Sequence, residues 1–300
     1  MSDLEIELYN RQTQSLEAEV VFEQWFMDFF YGTALGVWLS DKLIKKPWVT
    51  QLYKRFKHSP KSKESIPDFI EQYEINVDEI RDSIESFATF NEFFIRELVD
   101  GARPIDTTPE HLISPADGRI IHYPISGGTV IPIKGAEFDL TALLKDAALA
   151  ARYEGGDCFV VRLAPADYHR YGYIDSGCHD GHRKINGFLH SVSPYALRQN
   201  LEVFTQNQRE SCVLETDHFG VVTQIDVGAL LVGKIVQRQP QGGRFKRGDQ
   251  KGYFEFGGST VILLFEPNRV VPDDDILIYS RRGIETIVQY GAKIGSKPRN

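Results

Sequence analysis

Apolar positions recur at three- and four-residue steps through the first hundred residues. Beyond them they come in short runs of β-branched and aromatic residues. Phe22, Trp25, Phe26, Phe29 and Phe30 fall on one face of a helix over residues 20–31, and Leu35, Val37, Trp38 and Leu39 continue the pattern after Gly32. IPDFIEQY opens another helix after Ser65, and FNEFFIREL places Phe90, Phe93, Phe94 and Leu98 at helical spacing. From Gly101 the runs GRIIHYPI, GTVIPI, CFVVRLA, GVVTQIDVGALLVGKIVQ and STVILLFE read as strands between Pro- and Gly-rich turns, and residues 140–153 as one long alanine-rich helix. The pattern predicts an α+β chain: a helical N-terminal region over residues 1–100, then a mostly antiparallel, β-rich domain over 101–300.

Within the β-rich part, KGYFEFGGSTVILLFEP (251–267) sets two strand-forming runs around Gly257-Gly258-Ser259-Thr260. Glycine there admits backbone angles closed to other residues, and the Ser259 hydroxyl lies one residue from the Gly258 carbonyl it could attack. The preceding stretch RQPQGGRFKRGDQKG (238–252) is expected to be a long loop, a lid beside that bend.

Composition and charge narrow the function. The chain has 300 residues, 42% of them hydrophobic, and a net charge of -8, which speaks against a general nucleic-acid footprint. One segment runs against that balance. Residues 41–63 carry Lys42, Lys45, Lys46, Lys54, Arg55, Lys57, Lys61 and Lys63 against the single acid Asp41, with Trp48, Tyr53 and Phe56 among them. A basic, aromatic-bearing helical segment is the usual form of attachment to an anionic lipid surface, so residues 20–63 are expected to bind the membrane peripherally, on its cytoplasmic side. No secretory signal and no membrane-spanning run is visible. Cys158, Cys178 and Cys212 are widely spaced, as suits free thiols.

Candidate chemistry is scattered. Asp117 sits in the turn SPADG before a strand, and His169, in DYHR, follows the strand CFVVRLAP. Serine attack needs a base, a carboxylate to orient the base and donors for the oxyanion, and each type is present, without their convergence being legible from spacing. His179 and His182, with Cys178 adjacent in CHDGHRK, have a conceivable metal spacing, but no further ligand pair accompanies them, and the expectation is a polar loop and no metal.

Taken together and in order, FNEFFIRELVDGARPID, SPADG, DYHR, HSVSPYAL, NQRE, VGALLVGKI and KGYFEFGGSTVILLFE resemble the phosphatidylserine decarboxylase family, and YNRQTQSLEAE with YGTALG resembles its type II bacterial branch. The resemblance implies a zymogen that cuts itself at Gly258-Ser259 into a β chain, 1–258, and an α chain, 259–300. It implies that Ser259 becomes a pyruvoyl group, so that no external cofactor is needed, and that this group forms a Schiff base with the substrate amine. The expected reaction is phosphatidylserine to phosphatidylethanolamine and CO2, carried out by a homodimer. By the same resemblance Asp117 matches the orienting aspartate, Ser259 the nucleophile, and His169 the first histidine of the pattern YHRxH. The second histidine of that pattern is replaced by Gly172, which has no side chain to take a proton. Two alternatives follow: a decarboxylase of another amino acid, or an unprocessed homologue that binds lipid or a partner.

Overall fold

A computed structural model describes residues 6–19, 58–126, 130–133, 136–187, 207–228, 234–257 and 259–299. The expected helix at 20–31, most of the basic segment and Gly258 lie outside them.

The body is one large sheet whose middle follows the order Arg209–Thr216, Gly220–Gly228, Ser259–Phe265, Asp157–Leu163, Gly118–Pro124 and Glu285–Val288. All these neighbours pair antiparallel, as expected. Ser259–Phe265 is buried along its whole length because both faces are covered, which is why its sequence is an unbroken apolar run. Val261, Leu263 and Phe265 pack on one face in the cluster of Phe159, Val161, Leu214 and Val222. Ile262 and Leu264 pack on the other with Ile225, Val227, Leu140 and Leu143.

Among the described residues the helical region is small and has its own aromatic core. Ile66–Gln72 forms after Ser65, as its pattern predicts. Phe90–Phe94 forms after Thr89, whose hydroxyl accepts from the Glu92 amide at 3.2 Å while a Glu92 carboxylate oxygen accepts from the Ala88 amide at 2.7 Å. Phe69, Phe87, Phe90, Phe93 and Phe94 close around Phe256, which lies in the bend between the strand Gln250–Phe254 and Ser259. The helical region therefore grips the chain at the approach to the Gly-Ser bend.

Three expectations are corrected. Residues 7–18 are a hairpin, Glu7–Asn10 with Ser15–Ala18, whose first strand pairs in parallel with Glu285–Val288, so the start of the N-terminal region belongs to the β body. The helix expected over 140–153 is two, Leu140–Leu144 and Ala147–Arg152, because Lys145 takes a left-handed φ of 51° and the Asp146 carboxylate restarts the helix by accepting from the Leu149 amide at 3.0 Å. The loop expected over 238–252 is largely structured: Gly243–Phe245 pairs with Gly177–His179, and Gln250–Phe254 pairs with Ile235–Gln237 and Arg170–Gly172. These pairings leave no free lid there.

Candidate active site

Ser259 opens its strand between two others, opposite Gly228 on one side and Leu163 on the other. It is fully buried, and its Oγ has no hydrogen-bond partner. A buried hydroxyl normally finds one, so the site keeps this oxygen unengaged. The backbone on both sides is pinned. The Phe256 amide donates to Asn91 Oδ1 at 3.0 Å, and Asn207 Nδ2 donates to the Gly228 carbonyl at 2.9 Å. Gly257 adopts a φ of 139°, which a side chain would resist.

His169 is fully buried at the entry to Arg170–Gly172, and its carbonyl accepts from the Phe254 amide at 3.0 Å. Its ring lies 3.9 Å from that of Phe94, centroid to centroid. Nδ1 is 2.9 Å from the Asp167 carbonyl, which can only accept, so Nδ1 carries the proton and Nε2 the lone pair. Nε2 is buried without a partner. Burial lowers the imidazole to about 4, against the opposing pull of Asp167, so at neutral pH the ring is an uncharged base.

Asp117, in the turn before Gly118–Pro124, is 6% exposed. Arg103 grips it, with Nε 2.9 Å from both oxygens and Nη2 2.8 Å from Oδ2, and the Tyr290 amide donates to Oδ1 at 2.8 Å. Burial pushes this carboxyl up, and Arg103 opposes the shift. Arg103 also donates to Glu79 at 2.8 Å, which ties the helical region to the site. Among the described residues no imidazole bonds to Asp117.

Gly172 lies beside that turn, its amide donating to the Pro115 carbonyl at 2.8 Å. A β-carbon on it would fall 2.0 Å from the Tyr290 hydroxyl oxygen. That hydroxyl donates to the Gly248 carbonyl at 2.6 Å.

Arg96 escaped the sequence reading. Its guanidinium is buried over the Phe93 ring at 5.0 Å, one nitrogen donating to the Ala166 carbonyl at 3.0 Å while Nε and Nη1 have no partner. Burial lowers it to about 10, and the nearby Asp117 and Asp167 carboxylates act in the opposite direction. The signal was present: Arg96 follows Phe93 by three residues, placing a cation on the buried face of an apolar run. The pairing of His179 and His182 with Cys178 is not made, because Cys178 Sγ turns to Glu215 Oε2 at 3.8 Å.

A serine sealed inside a sheet, with its oxygen free and a neutral imidazole among the buried groups of the same region, suits a protein that acts on its own backbone instead of on an incoming chain. The phosphatidylserine decarboxylase family model matches residues 90–296. The phosphatidylserine decarboxylase proenzyme of Clostridium perfringens strain SM101 is 40% identical over 293 residues, 97% of this chain and 100% of the relative. That of Fusobacterium nucleatum is also 40% identical, over 97% of this chain and 98% of the relative, and that of Desulfitobacterium hafniense is 37% identical over 97% and 98%. The chain belongs to the phosphatidylserine decarboxylase family, and is thus a carboxy-lyase.

Proposed function

We propose that the chain cuts itself between Gly258 and Ser259, converts Ser259 to a pyruvoyl group, and decarboxylates phosphatidylserine to phosphatidylethanolamine and CO2. The observation that carries this reading is the buried, unpartnered Ser259 Oγ at the head of a fully paired strand. Attack of Oγ on the Gly258 carbonyl moves the acyl group from nitrogen to oxygen. Loss of the Ser259 Cα proton then expels Gly258 as a carboxylate. The remaining dehydroalanine end takes up water and releases ammonia, so the atoms balance without oxidant or reductant.

The residues present fit a pyruvoyl group at this position, since Ser259 is buried and its oxygen makes no hydrogen bond among the described residues. Such a group supplies a ketone that condenses with the substrate amine and withdraws the electrons left as CO2 departs. The chain's own residues do the rest. The two unpartnered nitrogens of Arg96, Nε and Nη1, offer an anchor for an anionic part of the headgroup. His169 Nε2, uncharged and unpartnered, takes or returns a proton. Phe94 and Phe256, edge to face at 4.9 Å, help to keep water out.

Membrane attachment through residues 20–63 is supported by the eight cations of segment 41–63 within a chain of net charge -8. No helix among the described residues is long and apolar enough to cross a membrane. A second copy of the chain, as the family resemblance implies, completes the proposed partners.

The test is intact mass beside CO2 release. Purified protein is expected as two fragments that release CO2 from phosphatidylserine vesicles and not from free serine, while Ser259→Ala stays a single inactive chain. A single unmodified chain that still releases CO2 overturns the pyruvoyl reading. A single inactive chain favours the unprocessed homologue, the reading that the Arg103 grip on Asp117 supports.

A further inference from the structure

On the sheet face that carries Val261 lies a group of buried polar side chains that the decarboxylation chemistry does not use. One ring nitrogen from each of His179 and His182 and the sulfur of Cys212 lie within 4.8 Å of one another. In tetrahedral zinc, metal–nitrogen distances of about 2.0 Å and metal–sulfur distances of about 2.3 Å hold such atoms roughly 3.5 Å apart, so side-chain shifts of about an ångström close this trio on an ion. Two imidazoles and one thiol are a borderline-soft set that selects zinc-like ions over magnesium or calcium.

A second observation points the same way. Gln224, directly opposite Cys212 on the neighbouring strand, is fully buried, and its Oε1 has no partner. Both ring nitrogens of His182 are buried without a hydrogen bond of ordinary geometry, although the Pro240 carbonyl acts on the ring. Orphaned polar atoms clustered in one interior spot mark the place of a water or an ion. A ligand histidine normally turns its second nitrogen to a backbone carbonyl, the role Pro240 can fill for His182. His179 is more engaged, with Nε2 2.9 Å from the Tyr173 hydroxyl and Nδ1 accepting from the Gly181 amide at 3.1 Å. Ligation exchanges one of these bonds, a loss of roughly tenfold in an equilibrium constant. The buried ion pair Lys251–Asp226 acts on both His182 and Cys212. Its carboxylate offsets the repulsion between Lys251 and a bound cation.

We infer that His179, His182 and Cys212 bind one divalent ion of the zinc class, with Cys212 as thiolate and water as a fourth ligand beside Gln224. The ion would clamp the strands Gly177–His179 and Arg209–Thr216 and the segment 180–182.

The experiment uses the full chain after chelator treatment, titrated with Co2+ and read by absorption. One equivalent is expected to give visible bands of tetrahedral intensity and a near-ultraviolet thiolate-to-cobalt band. Cys212→Ser should lose the thiolate band and bind at least 100-fold more weakly, while Cys178→Ser, one residue from His179, should match the parent. His182→Ala, at a partly exposed position, provides the same 100-fold test should Cys212→Ser fail to fold. No thiolate band in the parent overturns the inference, as does a band that survives Cys212→Ser or vanishes in Cys178→Ser, or Co2+ affinity unchanged in His182→Ala. Fragment masses are read in parallel, so that failure of self-cleavage and failure of metal binding are told apart.

Discussion

Tyr290 fills the space that a side chain on Gly172 would need: a β-carbon built there falls 2.0 Å from the Tyr290 hydroxyl oxygen and 2.6 Å from Cζ. The same tyrosine holds Asp117 through its amide and the Gly248 carbonyl through its hydroxyl. Glycine at 172 and tyrosine at 290 are therefore one packing unit.

Gly172→Ala is expected to cost about 1–3 kcal/mol by overpacking, and less in a Tyr290→Ala background. Urea midpoints of the four proteins measure the coupling. For the same reason Gly172→His alone should not restore a base. With Tyr290→Ala it has room beside the Asp117 turn, and precursor loss should then run about 10²-fold faster than in Tyr290→Ala alone. Equal rates would mean that another base, with His169 the first to examine, already serves.

Arg103→Met leaves the Asp117 carboxylate buried without its cation, and should destabilise the fold by roughly 3–5 kcal/mol. Adding Asp117→Asn removes the stranded charge and should recover much of that loss in a denaturant melt. Additive losses would show that the two side chains act independently.

Arg96→Gln removes the proposed headgroup anchor but no group that acts on the Gly258 carbonyl. Its fragments should form at the parental rate while KM for phosphatidylserine vesicles rises about 10- to 100-fold. Slowed cleavage with unchanged KM would place Arg96 in maturation instead.

The buried His169 makes stability depend on pH in a definite direction. Its folded value of about 4 lies below the ordinary 6.5, so as pH falls the unfolded chain takes up the proton first and the fold loses stability between about 6.5 and 4. The share from this one residue is about 2 kcal/mol between pH 7 and pH 5. His169→Gln should flatten the difference in unfolding free energy by that amount, measured at both pH values.

If residues 20–63 hold the protein on anionic lipid, Lys45→Glu with Lys46→Glu should weaken sedimentation with anionic vesicles. Salt should weaken the parent as well, because exposed charges are screened over about 8 Å at physiological ionic strength. Binding indifferent to both changes removes the electrostatic part.

Much of the architecture was legible because it is local. The Ser65 and Thr89 helix starts, the apolar run after Ser259 and the glycines before it each declare themselves within a few residues. The break at Lys145 was hidden because an alanine-rich stretch favours helix on both sides, although Asp146 before two alanines was a readable cap. The centre was only half legible. Asp117, His169 and Ser259 stood out by type, but Tyr290 and Arg103 meet Asp117 from 173 and 14 residues away, and only the fold brings them there. Cys212 is hidden from His179 for the same reason, since strand pairing and not spacing makes them neighbours.

The position of Ser259 in the sheet also decides what the two products of the proposed cut could do afterwards. The piece from 259 to 300 would supply the strand Ser259–Phe265, hydrogen-bonded on both sides to the larger piece, and the strand Glu285–Val288, held between Gly118–Pro124 and Glu7–Asn10. Neither piece could leave without tearing the sheet open along its middle. Once denatured, however, the two would have to find each other by diffusion, so renaturation of the cut protein would become second order in concentration, and a sequence of folding first and cutting second could not be run backwards.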